Sequence, residues 1–423
     1  MKLASQNSRV LFLDRFYFPD EQATSVYLTE LTEALQNRFQ IEVLCGPPGI
    51  VTEKRRSSDP LTLSPLPLRG RGEGEGGGVH QVPCLRFPKS LLFARLLNDF
   101  SFLFMALLRG LFVPKPSLII SQTSPPGIWW IGFLLSRWHG SRWIHVSKDI
   151  FPDSLKVLSR SPNTLLISFL DQISSLPLKR ADQIVVIGED MRNVFLRKGF
   201  SSDRIFKIYD WVDLEFIRPL SKKNPFSMKY RIEDKFVVMY AGNFGRTHNF
   251  EDLLAAAEEL RQTREIIFVL VGEGALKEKL AREVGFRELT NILTVSFEPR
   301  AKLPEVLAAA DLSVILLKKG MAGLSVPSKI YSLLASGRPV LACVDPASDI
   351  ARIVRESSSG FVIPPGNSTE LAASIKTLFE NRPLREELGN NARRFVEDRD
   401  FKASAFRRYG ELFREVLNYE KSF

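Results

Sequence analysis

The chain has 423 residues, enough for two domains that each bury a core, and its 44% hydrophobic and 25% charged content excludes a disordered polymer. A net charge of +10 and a pI of about 9.5 point to an anionic partner, either a phosphorylated ligand, a membrane surface or nucleic acid. No RNA-binding signature, zinc-finger spacing or dense Lys/Arg block occurs, so nucleic acid is set aside; three scattered cysteines, Cys45, Cys84 and Cys343, make no disulfide framework and fit a reducing compartment.

In chain order, "MKLASQNSRVLFLDRF" has an apolar run too short, and too interrupted by charge, for a signal peptide. Within it "RVLFLD" (9–14) predicts a buried strand, followed by a helix over 26–35 and a second strand, "IEVLCG" (41–46). "SSDPLTLSPLPLRGRGEGEGGG" (57–78) breaks this rhythm. It is Pro- and Gly-rich without apolar periodicity and predicts a mobile surface insertion carrying no chemistry. "SLLFARLLNDFSFLFMALLRGLFV" (90–113) has too short an uncharged piece for the ~20 apolar residues of a spanning helix. With Arg95, Arg109 and Lys115 beside Phe, Leu and Met, it suits a helix lying on an anionic membrane surface; a core helix packed on a sheet fits equally.

"SLIIS", a helix around Trp129, "RWIHVS" and "QIVVIG" follow, then a polar, basic linker at 219–235. A second alternation runs through "FVVMYAGNFG", "IIFVLVGEG", "NILTV", "DLSVILL" and "RPVLACV" to an amphipathic helix around 401–417. Such alternation implies parallel sheets covered by helices on both faces, with ligands beyond the carboxyl ends of the strands. The predicted domains are 1–218 and 219–400, with a closing helix at 401–423 able to pack back on the first.

Three stretches carry candidate chemistry. "YAGNFGRTHNFEDLL" places Gly242 and Gly245, which permit close backbone approach, beside Arg246, a planar fork suited to phosphate, and His248, a further donor. In "LVGEGALKEKL", Glu273 either meets a hydroxyl or caps a helix. "GLSVPSKIYSLLASGRPVLA" (323–342) predicts a helix with Pro327 in its first turn, Gly337 at its end, and Ile330, Leu333 and Leu334 in the core. Its free N–H groups, with Ser328 and Lys329, suit a phosphate; an ordinary capped helix with a solvated lysine fits the same residues. Asp149 and Asp153 in "KDIFPD" follow a buried strand; Asp149 suits an acceptor hydroxyl, an oxocarbenium-like state or a helix cap, while His145 inside the strand is structural. No metal-ligand spacing, G-x-S-x-G elbow or G-x-G-x-x-G fingerprint occurs, which disfavours a nicotinamide oxidoreductase.

The order "YAGNFGR", "LVGEG", "NILTVSFEPRAKLPEVLAAADLSV", "PSKIYSLLASGRPVLA" and "SGFVIPPGN" resembles the nucleotide-sugar half of a GT-B glycosyltransferase of family 4, the type that builds surface polysaccharide and lipopolysaccharide. "FYFPDEQATSVYLTELTEAL" resembles the family's acceptor-side loop and helix, and "VSKDIFPD" its Asp-aromatic-Pro segment. "IYDWVD" resembles its Asn-Trp-Val-Asp passage, with Trp211 and Asp213 matching and Asp210 in place of Asn. The colanic-acid-type subgroup is the nearest in pattern.

The resemblance implies an α/β fold of two Rossmann-like doubly wound domains facing a central cleft. It implies a retaining, metal-independent hexosyl transfer without cofactor, from a nucleotide-diphosphate sugar to a lipid-linked or oligosaccharide acceptor. It places the protein in the cytoplasm, peripherally on the inner membrane face. Arg246 matches the phosphate-binding arginine; the second cation usual a few residues later is replaced by Glu251, and Lys329 is the candidate substitute. Ser332 stands where the later of two family glutamates contacts ribose, and Leu324 where the earlier one stands. The implied donor contacts are Gly242, Asn243, Gly245, His248, Gly272, Glu273, Phe297, Glu298, Ser325, Ser328 and Ser332. Gln22, Ala23 and Thr24 are the implied acceptor contacts, with Asp149, Arg246 and Lys329 catalytic. Glu298 and Arg300 are expected to face solvent. The altered glutamate positions leave open a degenerate GT-B protein that binds nucleotide or glycan beside an active transferase. A sugar-nucleotide 2-epimerase shares the fold, but its set of catalytic carboxylates and histidines is not placed in this sequence.

Overall fold

The computed structural model describes residues 8–48, 78–87, 92–158 and 164–418. The 57–78 segment lies outside the described residues except for Gly78, which opens a strand; residues 90 and 91 of the predicted membrane-surface helix also lie outside them. Contacts divide the chain into two compact units. One holds Met1–Lys156, Ser161–Tyr209 and Ala403–Phe423, the other Val157–Arg160 and Asp210–Lys402.

The first unit runs β1 (Arg9–Leu13), α1 (Ala23–Leu35), β2 (Gln40–Cys45), β3 (Gly78–Gln81), α2 (Leu92–Leu111), β4 (Leu118–Ser121) and α3 (Ile128–His139). It continues with β5 (Arg142–Ser147), α4 (Asp153–Leu158), α5 (Thr164–Leu178), β6 (Gln183–Val186), α6 (Glu189–Arg197) and β7 (Ile205–Lys207). All neighbouring strands pair in parallel, in the order β3-β2-β1-β4-β5-β6-β7. Val10, Leu11, Phe12, Ile119 and Ile144 are wholly buried, as a sheet covered on both faces requires.

Helix α1 starts at Ala23, earlier than the apolar stripe predicts, because its buried face is partly hydroxyl. Ser25 Oγ donates to Asp20 O at 2.7 Å and Thr29 Oγ1 to Ser25 O at 2.8 Å, so these polar side chains enter the core already satisfied. Helix α2 is two-faced. Ala94, Asn98, Phe102 and Ala106, four apart, pack inward, while Phe93 and Phe100, and Phe112 just beyond the helix end, are 72%, 67% and 80% exposed. No helix among the described residues is long and apolar enough to cross a membrane.

The second unit holds α7 (Pro225–Tyr230), β8 (Phe236–Ala241), α8 (Phe250–Glu259), β9 (Ile266–Val271), α9 (Lys277–Phe286), β10 (Ile292–Val295), α10 (Leu303–Ala308) and β11 (Leu312–Leu316). Then come α11 (Lys329–Ala335), β12 (Val340–Cys343), α12 (Asp349–Glu356), β13 (Gly360–Ile363), α13 (Ser368–Glu380) and α14 (Arg382–Arg399). Its parallel order, β10-β9-β8-β11-β12-β13, repeats the pattern of the first sheet. In each the direction of winding reverses beside the first strand, at β1/β4 and β8/β11, which opens a crevice beyond the carboxyl ends there.

After Asp400, in the left-handed region at φ 35°, α15 (Phe401–Asn418) returns to the first unit. Phe413 is fully buried, its ring 6.1 Å from that of Phe12 and 5.7 Å from that of Phe39. Phe413→Ala should therefore destabilise the first unit by about 3–5 kcal/mol, seen as a lowered melting temperature in scanning calorimetry.

Candidate functional site

At the reversal point of the second sheet, β8 ends in Gly242, at φ 142°, and β9 in Gly272, at φ 155°. The two turns touch: a Cβ on Gly272 would lie 1.9 Å from Gly242 O, so no other residue fits. Phe244 N–H donates to Glu273 O at 2.7 Å, Leu276 N–H to Phe244 O at 3.0 Å, and Tyr240 Oη to Asn243 O at 2.8 Å. These bonds fix the 242–245 backbone in one shape.

Lys329 points into this turn. Helix α11 begins at Lys329 itself, so Pro327 precedes the helix and does not sit in its first turn, and Ser328 makes no side-chain cap bond. The residue as a whole is half-buried, but its Nζ is fully enclosed and has no hydrogen-bond partner. The ammonium stands 3.6 Å from the Tyr240 ring centroid and 3.5 Å from where a Cβ on Gly242 would be. Burial pushes its pKa down to about 7. This lysine is not solvated; its amine is enclosed in the turn without a counter-charge.

Other positively charged groups gather nearby. Arg246 is exposed on the same turn. Lys318, just after β11, donates its N–H to Thr247 O at 2.9 Å; burial lowers its pKa, with Lys279 and Arg246 adding repulsion. Lys318 escaped the sequence reading, although a lysine directly after the buried run "DLSVILL" was the available signal. His248 differs from a free donor. Its ring lies 5.8 Å from Tyr240 and 6.1 Å from Phe250, its Nδ1 contacts Gly245 O at 3.2 Å, and burial, then Lys329, lowers its pKa to about 3. A neutral ring donating from Nδ1 props the turn and leaves only an acceptor at Nε2.

Glu273 is engaged by Lys277 at 2.5 Å, four residues on, and that hydrogen bond lowers its pKa. Glu298 is not solvent-facing as expected: Lys229 reaches it at 2.8 Å and Tyr230 Oη at 3.1 Å. Arg300 lies over the Phe216 ring at 4.6 Å, while Phe297 stays 44% exposed. Ser325, Ser328 and Ser332 are half-buried, with Ser332 three residues beyond Lys329 and so on a neighbouring part of the helix face. Leu324 is 8% exposed, part of the core.

In the first unit, Asp149 is exposed at the rim of a depression lined by Trp129, His145, Ser174 and Lys198, and its carbonyl accepts from Ser147 Oγ at 3.2 Å. Asp153 is taken by Lys198 at 2.6 Å. His145 is buried, its Nδ1 3.0 Å from Ser121 Oγ, and burial lowers its pKa to about 3, a structural neutral imidazole. Gln22, Ala23 and Thr24 form the start of α1; Gln22 N–H donates to Asp20 Oδ1 at 3.0 Å, and its Nε2 is buried without a partner. Sequence reasoning missed Asp14, which follows β1 fully buried at that sheet's reversal point. One carboxylate oxygen is unpartnered, and burial pushes the pKa up to about 7. Among the described residues no group of three or more His, Cys, Asp or Glu could hold a metal ion.

Comparison with known proteins finds matches over most of the chain. The model "Glycosyl transferase 4-like domain" matches residues 23–211, and "Glycosyl transferases group 1" matches residues 223–395. "Probable glycosyltransferase WbjE" of Pseudomonas aeruginosa is 27% identical over 70% of this chain and 76% of its own length. "Putative colanic acid biosynthesis glycosyl transferase WcaI" of Escherichia coli K12 is 22% identical over 49% of this chain and 56% of its own length. Among solved structures, HepE of Anabaena in complex with UDP and glucose superposes with TM-score 0.72 and 16% identity, over 96% of this chain and 100% of that one. WaaG, a glycosyltransferase of lipopolysaccharide biosynthesis, gives 0.68 and 15%, over 95% and 99%.

The unpartnered ammonium has a consequence for stability. A lysine whose folded pKa lies below its unfolded value destabilises the fold wherever the unfolded chain is protonated and the folded one resists it. The penalty at pH 7 is on the order of 4 kcal/mol and disappears above the unfolded pKa. Lys329→Met should melt higher than the parent at pH 7, and the difference should shrink as pH rises toward 10; equal melting at both pH values would contradict the enclosed charge.

Proposed function

We infer the reaction from one premise: the chain belongs to the GT-B glycosyltransferases of the family 4 type. It transfers a hexosyl group, with retention, from a nucleotide-diphosphate sugar to a lipid-linked or oligosaccharide acceptor in surface-polysaccharide construction. The observation that carries this reading is the enclosed, unpartnered Lys329 ammonium beside the Gly242 turn.

As the bond between C1 and the diphosphate oxygen breaks, negative charge collects on the departing diphosphate. Preorganised positive groups stabilise that charge most where water is excluded. Lys329 supplies one cation from within the turn and Arg246 a planar fork from its outside, with Lys318 behind them. The chain's own side chains thus take on the neutralisation, and no cofactor enters the scheme. Gly242, Asn243 and Gly245 bring backbone against the phosphates, and Ser328 and Ser332 offer hydroxyls to the nucleoside. The acceptor hydroxyl forms the new C1–O bond on the face the diphosphate leaves, and its proton departs with the diphosphate. Asp149 and the start of α1 face the acceptor. The complex of HepE with UDP and glucose, and the lipopolysaccharide and colanic acid assignments of WaaG and WcaI, support this choice of donor class and pathway.

In the same reading the acceptor's lipid lies against the outer face of the first unit, with the protein peripheral on the cytoplasmic side of the membrane. Helices α2, α3 and α5 lie side by side and expose Phe93, Phe100, Trp138, Leu165 and Phe169. The carboxylates of these helices, Asp99 and Asp171, are bound by Arg15 and Lys198, while Arg95, Arg137, Lys179 and Arg180 are exposed. An apolar face with a basic border suits the surface of an anionic bilayer. Arg109 is not part of that border, since it donates to His80 Nδ1 at 3.2 Å.

With UDP-, GDP- and dTDP-sugars screened by thermal shift and then by transfer, Lys329→Ala should lower turnover about 100-fold or more while its circular dichroism stays native. The product should keep the donor's anomeric configuration by NMR. An unchanged rate in the folded variant would remove Lys329 from the mechanism, and an inverted product would refute retention. Phe93→Glu with Phe169→Glu should cut cosedimentation with anionic vesicles about 10-fold or more; undiminished binding would exclude that face.

A further inference from the structure

A second cavity, of about 500 Å³, opens in the second unit at the amino-terminal edge of its sheet. Asp311, which precedes β11, and Arg338, which precedes β12, line it together with Arg382, Arg385, Glu386 and Asn390 of α14. The Gly242 turn and Lys318 follow the carboxyl ends of β8 and β11, so the cavity and the turn lie at opposite ends of the same strands.

The charges in this cavity do not cancel. Asp311 is already neutralised, by Lys222 at 2.5 Å and by the Val237 N–H at 2.8 Å. Glu386 is paired with Arg382 at 2.7 Å. Arg338 and Arg385 remain, and among the described residues neither forms an ion pair. Arg338 donates to the carbonyls of Leu220 at 3.1 Å and Ala308 at 2.8 Å, while its Nε is buried without a partner. Arg385 donates to Leu378 O at 2.6 Å, and its guanidinium lies 5.1 Å from the Phe236 ring centroid. Each guanidinium is held in place by carbonyls and an aromatic face, and neither is discharged by them. Burial holds the Arg338 pKa below its usual value; Asp311 opposes this and Arg385 adds to it, so the two arginines repel across the same space.

Two fixed positive charges left over after the internal pairs match one dianion. Guanidinium forks are suited to phosphate oxygens, and the cavity volume falls in the range of small-ligand sites. We propose that this cavity binds a phosphomonoester, with Arg338 and Arg385 on the phosphate and Asn390 at its side, as a site separate from the one that takes the donor.

The test uses the full chain with UDP present at saturation, so that the Gly242 turn is filled. Glucose 6-phosphate and inorganic phosphate are titrated by calorimetry into the parent, Arg385→Gln, Asn390→Asp and Lys329→Met proteins. Asn390 is an exposed helix position, so Asn390→Asp places a carboxylate in the cavity without removing any packing. The parent should bind one glucose 6-phosphate, and Arg385→Gln and Asn390→Asp should weaken it about 10-fold or more while UDP affinity stays the same. Lys329→Met should lose UDP affinity and keep the sugar phosphate. Binding of inorganic phosphate as tight as that of glucose 6-phosphate would overturn the organic part of the proposal. No binding to the parent at millimolar concentration, equal binding by Asn390→Asp, or binding that UDP displaces would overturn the site itself. None of these outcomes depends on sugar transfer, so they are separable from failure of the transferase reading.

Discussion

An ammonium enclosed without a counter-ion is the constraint on which the second unit's site is built. Lys329 has lost water and gained only the Tyr240 face, an exchange that leaves it near neutrality when no ligand is bound. The surrounding sequence tolerates this at a stability cost. Gly242 has no side chain to crowd the ammonium, Gly272 lets the two turns touch, and His248 buttresses the turn as a neutral ring. In the proposed reaction a diphosphate entering here would supply the missing negative charge and restore the proton. Binding energy is therefore largest for a ligand that brings charge to one particular atom, which is what departure of a diphosphate demands.

Strand order explains why the turn lies where it does. Both sheets reverse their winding direction beside the first strand, and the residue after that strand is a buried Asp14 in one and a half-buried Gly242 in the other. The crevice at such a point is a consequence of parallel connectivity, and in the second unit the Gly242 turn stands there. The opposite edge of the same sheet carries unbalanced guanidinium charge, in keeping with a chain whose net charge is +10.

Much of the fold was legible because parallel strands buried on both faces are continuous apolar runs, such as "IIFVLV" and "FVVMYA". The glycines of the Gly242 turn and the lysine after Pro-Ser were legible from type and position. What was hidden depended on contacts distant in sequence. Nothing around Lys329 in the chain says that Tyr240 will cover it, and nothing near Arg109 says that His80, itself 2.9 Å from Glu42, will draw it inward. Glu298 was expected to face solvent because its partners, Lys229 and Tyr230, lie 69 and 68 residues away. The start of α1 was placed late because its core face is made of serine and threonine, which a hydrophobic pattern does not count.

The most direct measurement is the proton count on UDP binding, from calorimetry at pH 8 in two buffers of different ionisation enthalpy. A lysine with a free pKa of about 7 is mostly neutral at that pH and becomes charged against a diphosphate, so the parent protein should take up close to one proton per UDP. Lys329→Met should take up none and bind more weakly. Equal proton counts and equal affinities in the two proteins would contradict the claim that Lys329 receives the diphosphate.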